Sequence, residues 1–176
     1  ELGIAREEVQ SFLAAAPQAA AAFARRYDNS HPDAERADDP AGEARRAIER
    51  WQNHFADLDE AAEDLADELR LSRGDISAAL IERLREKHRL TVRILPADVV
   101  PGLGHRRDLH ARQLQLSEML GGAARRFQIA RQIASLEHRD AIETVVEGGS
   151  LNSPEARHIF RDHVTDYVAL ALLIPY

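Results

Sequence analysis

The chain has 176 residues, enough for one well-buried core and short of two full domains, so a single compact unit with a helical extension is expected. Its formal net charge of −7 argues against direct nucleic-acid binding, which needs clustered positive charge to displace counterions from phosphates. There is no Cys and no apolar stretch of signal-peptide or membrane-spanning length, which removes disulfides, thiolate chemistry and Fe–S ligation within these residues and leads us to expect a cytoplasmic location without membrane contact.

Residues 4 to 26 are Ala-rich, with Ile4, Val9, Phe12, Leu13 and Phe23 as the larger apolar groups, and predict a helix or helical pair broken near Pro17. From Asp28 to Gly42 the composition turns to Asn, Ser, His, Pro, Asp and Gly, too polar to order itself, and predicts a linker with the main boundary in it. Residues 1–39 are thus read as an Ala-rich helical segment and linker, and residues 40–176 as a helical lead-in followed by the folded domain. Ala44 to Asn53 and Leu58 to Leu69 show helical spacing, the latter with Asp and Glu crowding its outer face as a solvated surface. Trp51 and Phe55, four residues apart, are expected to anchor these first helices to the core.

Asp75 is placed to cap a helix over Ile76 to His88, with Ile76, Ala79, Leu80, Ile81 and Leu84 as a core stripe. Leu90 to Leu95 predicts a strand. A loop carrying Pro96, Pro101, Gly102 and Gly104 leads to Arg107-Asp108-Leu109-His110 and then to Arg112 to Leu116, where alternating Leu114 and Leu116 predict a half-buried antiparallel strand. Ser117 with Glu118 is expected to start a helix running to about Glu137 and burying Leu120, Ala124, Phe127 and Ala134. Ser153-Pro154-Glu155 opens the last helix, with Pro where its missing N–H costs nothing. No internal repeat is visible. Glu1 in place of a Met start, and the stop at Tyr176 straight after an apolar helix, suggest a segment of a longer polypeptide.

Two motifs carry the functional reading. Arg131-Gln132-Ile133-Ala134-Ser135 stands where a zinc peptidase helix carries His-Glu-x-x-His, whose imidazoles four residues apart share a face and whose Glu serves as base. Val164 to Tyr176 matches the closing helix of the same domain. With Arg125-Arg126-Phe127-Gln128-Ile129-Ala130, these segments resemble the metallopeptidase-like domain of bacterial transcription regulators of short-chain fatty acyl metabolism, in particular actinobacterial regulators of propionate catabolism and the glyoxylate bypass. The resemblance is specific over Leu90 to Tyr176 and looser over Pro40 to Leu69. It implies an α+β, mostly helical fold: a degenerate zincin-like domain of IrrE/ImmA type with a small antiparallel sheet and an N-terminal helical extension. It further implies acyl-CoA sensing, a helix-turn-helix DNA-binding domain outside this chain, a homodimer and no enzymatic activity. In the related peptidases a third ligand is a carboxylate near the start of the closing helix, about where Asp162 to Asp166 lie here.

Arg131 in a His slot speaks against zinc and against catalysis, since a guanidinium stays protonated and has no lone pair to donate. We therefore assign no metal, no cofactor and no catalytic residue, and expect coenzyme A or a short-chain acyl-CoA as ligand. Arg131 and Gln132 are candidate ligand contacts in the old active-site groove. His105, Arg106 and Arg107 beside the flexible Gly102-Leu103-Gly104 offer cations for the phosphates of CoA. The family pattern favours Tyr at 167 and 176, so Tyr167 and Tyr176 join the candidates as rings for an adenine or acyl chain. Each has a bland alternative: Arg131 paired with Asp162 or Asp166 and filling the space the metal vacated, a mobile loop with solvated charges at 105–107, and core tyrosines with satisfied hydroxyls. Basic residues are almost all Arg, Lys87 being the only Lys, which suits bidentate phosphate recognition and equally reflects a GC-rich genome. Eight His residues show no pairing at helical ligand spacing, and no Ser-His-Asp arrangement emerges.

Overall fold

The computed structural model describes residues 39–72, 75–100 and 104–174. The Ala-rich stretch 4–26, most of the linker, Gly102, Leu103 and Tyr176 lie outside the described residues.

The first described element, α1, covers Pro40–Arg50 and so begins inside what the composition marks as linker. Asp39 is its N-cap, its two carboxylate oxygens accepting from the N–H groups of Ala41 (3.1 Å) and Gly42 (3.0 Å), and Pro40 occupies the first turn where no N–H is needed. Gly42 is fitted to this cap, because a Cβ there would sit 2.5 Å from the Asp39 carboxylate. Ala44 and Ala47 form the buried stripe. Gln52 and Asn53 turn the chain through left-handed backbone into α2, Ala56–Ser72. Phe55 at the turn is the anchor: it is buried and packs edge-on to Tyr167, while Trp51 leans on it from the exposed side.

Helix α3, Ile76–His88, is capped by Asp75 through the N–H of Ser77, as expected, and stops at Arg89 in left-handed backbone. Its core stripe is Ala79, Leu80 and Leu84; Ile81 faces solvent. Three strands follow: β1 (Thr91–Leu95), β2 (His105–Asp108) and β3 (Gln113–Ser117). The sheet is mixed rather than antiparallel throughout. β2 and β3 form the expected antiparallel hairpin, but β3 lies in the centre and pairs in parallel with β1 on its other side. As the central strand, β3 is buried along Leu114 to Ser117, whereas edge strand β1 leaves Ile94 exposed.

Helix α4 covers Gly122–Glu137 and begins five residues later than Ser117 suggests. Ser117 is instead the last residue of β3, paired with Leu95, and its hydroxyl accepts from the N–H of Met119 in a local turn. The buried stripe of α4 is Ile129, Ala130, Ile133 and Ala134; Leu120, Ala124 and Phe127 are only half-buried, because the middle turns are the ones enclosed between α6 and α3. A short helix the sequence reading did not anticipate, α5 (Arg139–Gly148), buries Ile142 and Val146. Finally α6, Pro154–Leu173, is capped by Ser153 as expected, the hydroxyl accepting from the N–H of Ala156.

α6 is the axis of the domain and packs against α1, α2, α4 and α5. Its Phe160, Val164, Val168 and Leu172 are wholly buried, and truncating a phenylalanine in such a site costs about 3–5 kcal/mol. At the end of α4 Glu137, a half-buried residue with its carboxylate largely covered, ties α3 to the bundle. Arg83 grips both its oxygens at 2.8 Å and also reaches Glu68, Lys87 contacts it at 2.6 Å, and His88 at 2.8 Å.

Candidate functional site

Gln128, Arg131 and Ser135 recur at helical spacing and so share one face of α4, with Gln132 beside them. Opposite lies the β2–β3 hairpin. Successive strand residues point to opposite faces, so the register Arg107↔Leu114 and His105↔Leu116 puts His105 and Arg107 on the face of the two core leucines. The two elements enclose a cavity of about 240 Å³ bordered by His105, Arg106, Arg107, Leu114, Gln128, Arg131, Gln132 and Ser135. Five residues singled out from sequence are thus brought together. Three more, Leu114, Gln128 and Ser135, complete the wall; the spacing of Gln128 and Ser135 from Arg131 was the signal for two of them.

Within this group the side chains differ in what they can do. Arg106 borders the cavity, but its guanidinium is turned to the other sheet face, where Gln115 Oε1 accepts from Nε at 3.1 Å and Nη2 at 2.7 Å. Gln115 is itself held by Gln113. His105, Arg106 and Arg107 belong to a strand, not to a mobile loop, because they pair with Leu116, Gln115 and Leu114. Leu109 and His110 fall in the turn beyond, which Asp108 closes by accepting from the N–H of Ala111. Tyr167 lies elsewhere: its ring sits 4.9 Å from that of Phe55 and its hydroxyl donates to Asp59 at 2.8 Å.

Arg131 donates from Nε to Asp166 at 2.5 Å and from Nη2 to Asp162 at 2.9 Å, joining α4 to α6. Burial works against its charge, but the attraction and hydrogen bonds of Asp166 and Asp162 outweigh it and raise the pKa further. The three side chains are 28%, 31% and 41% exposed, so the clamp is reachable from solvent. Gln132 and Ser135 satisfy each other, the amide donating to the hydroxyl at 3.1 Å and the hydroxyl to the Gln132 carbonyl at 2.8 Å.

A zinc ion does not fit this arrangement. The slots for two imidazoles and a general base hold a guanidinium, a hydroxyl and an amide, and the carboxylates of the closing helix are engaged by the guanidinium. Among the described residues no group of three or more His, Cys, Asp or Glu is placed to hold a metal ion.

Residues 85–176, just over half of the chain, match the family model of the IrrE N-terminal-like domain, a peptidase family by designation. The chain belongs to the IrrE N-terminal-like family. This IrrE-like domain is 35% identical over 139 residues to the HTH-type transcriptional regulator RamB of Mycobacterium tuberculosis, covering 78% of the chain and 29% of RamB. It is 32% identical over 138 residues to the HTH-type transcriptional regulator PrpR of the same organism, covering 78% of the chain and 28% of PrpR. A propionyl-CoA carboxylase regulator of Cereibacter sphaeroides is 28% identical over 137 residues, with the same 78% and 28% coverage. Among solved structures, a Mycobacterium tuberculosis transcriptional regulator superimposes with a TM-score of 0.70 at 31% identity, over 78% of this chain and 42% of that one. The IrrE-like domain therefore spans less than a third of the length of these curated relatives. No helix among its described residues is long and apolar enough to cross a membrane.

Proposed function

We propose that this IrrE-like domain is the ligand-sensing part of a transcription regulator of propionate-related metabolism, that it binds a short-chain acyl-CoA such as propionyl-CoA, and that it is not an enzyme. The observation that carries the reading is the cavity between β2 and α4. A groove that in a peptidase would be built around a metal here presents Arg107, Arg131 and His105, donors suited to phosphate and thioester oxygens. The relatives named as transcription regulators, and the one named for propionyl-CoA carboxylase, support the regulatory half. DNA is contacted by a domain outside these residues, in keeping with the net charge of −7, and the regulator works as a cytoplasmic homodimer. Ligand binding shifts a conformational equilibrium only to the extent that its affinity differs between the two states.

A second reading has its own observation. Because Arg131 is already paired with Asp162 and Asp166, the groove is also compatible with a filled fossil in a scaffolding or dimerisation module. Isothermal titration of the purified chain with propionyl-CoA, acetyl-CoA and CoA, with zinc loading as a control, decides between them. Micromolar or tighter binding without zinc is the expected result; a folded sample that binds none of the three favours the scaffold.

A further inference from the structure

The cavity is bordered by polar and apolar surface in similar measure. Leu114 is its one aliphatic wall, while Arg107, Arg131, His105, Gln128, Gln132 and Ser135 supply charge and hydrogen-bonding groups. Its 240 Å³ has room for a tetrahedral anion and part of its hydration.

The two cations facing this space are unequal. No carboxylate among the described residues pairs with Arg107, whereas Arg131 has its Nε and Nη2 occupied by Asp166 and Asp162. A phosphate-type dianion entering beside Arg131 would sit within a few ångströms of two carboxylates, and like charges at that distance in a half-desolvated groove repel strongly. It cannot simply be added. Both ion pairs are partly exposed, and pairs of this kind hold weakly, so the carboxylates can yield. Asp162 has an alternative neighbour, with its Oδ2 3.5 Å from His158 Nε2 one turn back on the same helix.

We propose that the cavity is an exchange site for a phosphate-type anion, which bridges Arg107 and Arg131, takes Arg131 from Asp162 and Asp166, and thereby loosens α6 from α4. The inference rests on the groove being a ligand site, but not on that ligand being an acyl-CoA: the anion could be free phosphate or a phosphate of a nucleotide-bearing cofactor such as CoA. The exchange gives occupancy a mechanical readout, because the same guanidinium serves either the ligand or the helix that forms the axis of the core.

The test titrates the 176-residue chain at constant ionic strength with inorganic phosphate, adenosine bisphosphate and CoA, following binding by calorimetry and the amide exchange of residues 154–173 by mass spectrometry. Phosphate is expected to bind in the millimolar range and to speed exchange in α6. Arg107→Gln, on an exposed strand edge, is expected to weaken binding by about tenfold, and Asp162→Asn with Asp166→Asn to tighten it by about tenfold. If the double variant fails to fold, the Asp162→Asn single variant carries the same test with a smaller gain. Unchanged or weakened affinity on removing the carboxylates, or binding without any change in α6, overturns the exchange. CoA binding while phosphate and bisphosphate do not overturns this inference and leaves the acyl-CoA reading standing; phosphate binding without CoA binding does the reverse. Silence from all three overturns both.

Discussion

Helix α4 carries two acid–base clusters under two turns apart, and they behave differently because of what surrounds them. At Arg131 one guanidinium serves two half-exposed aspartates on α6. At Glu137 one carboxylate, only 6% exposed, is served by Arg83, Lys87 and His88 from α3. The bond lengths are similar, so length does not separate them. Desolvation does: burial magnifies the attraction inside a pair, and magnifies even more the cost of leaving one member alone. The Glu137 cluster is therefore structural cement, while the Arg131 clamp is held loosely enough to be exchanged.

The largest way to break this contrast is Glu137→Ala. It strands Arg83, itself mostly buried and left with only the exposed Glu68, and should cost about 3 to 4 kcal/mol, or roughly 10 °C in Tm. Thermal unfolding by circular dichroism reads this directly; a shift of only a degree or two would mean that the cluster is no more than surface decoration.

Acid gives a second measure of the same group. Burial pushes the Glu137 pKa up, but the hydrogen bonds from Arg83, Lys87 and His88 prevail and hold it at about 2, against an ordinary value of 4.5. A carboxylate lowered on folding contributes stability that is present above its unfolded pKa and is lost as pH falls toward the folded one. Between pH 4.5 and 2 the domain should therefore lose on the order of 3 kcal/mol from this residue alone. Urea unfolding at neutral pH and at stepped acid pH should show that loss in the native chain and a markedly smaller one in Glu137→Gln.

The two clusters were not equally legible in the sequence. The Arg131 clamp was, because slots four residues apart fix a helix face and the family resemblance directs that face to the closing helix, although Asp162 and Asp166 lie in the middle of that helix and not near its start. The basic residues Arg83, Lys87 and His88 could be seen together on one helix, but their acidic partner lies about fifty positions away in the chain and only tertiary packing brings it near. Arg106 shows a subtler limit. As part of a loop it would be free to turn into the groove; as a strand residue paired with Gln115 it must face away, and strand alternation could be applied only once the register was known. The parallel pairing of β1 with β3 was hidden for the same reason, since a hairpin is a local signal and the choice of a third strand's side is not. Asp39-Pro40 reads as linker by composition, yet the same two residues cap and open α1, because a helix start and a polar loop use the same residue types.

Arg131→Ala sharpens the contrast from the other side. The partly exposed Asp162 and Asp166 can be rehydrated when their partner goes, so the loss should be about 1 kcal/mol, well below that for Glu137. Affinity for phosphate or CoA should fall in the same variant. Lost stability of the Glu137 size with unchanged affinity would make the groove a fossil, and the scaffold reading would stand.

The smallest effect is expected from Lys87→Ala, which tests whether proximity or burial sets the strength of an ion pair. Lys87 Nζ stands 2.6 Å from Glu137 Oε2, closer than either contact from Arg83 to the same carboxylate. By distance it should matter most. But the lysine side chain is 54% exposed, so its charge is shared with water and screened by salt, and Arg83 and His88 still hold both carboxylate oxygens after it is removed. The change should therefore cost no more than about 0.5 kcal/mol, and still less at high salt. Chemical denaturation of Lys87→Ala beside Glu137→Ala gives the comparison in one experiment. A Lys87 effect as large as that of Glu137 would show that contact distance, rather than desolvation, governs both clusters, and the looseness ascribed to the Arg131 clamp would fall with it.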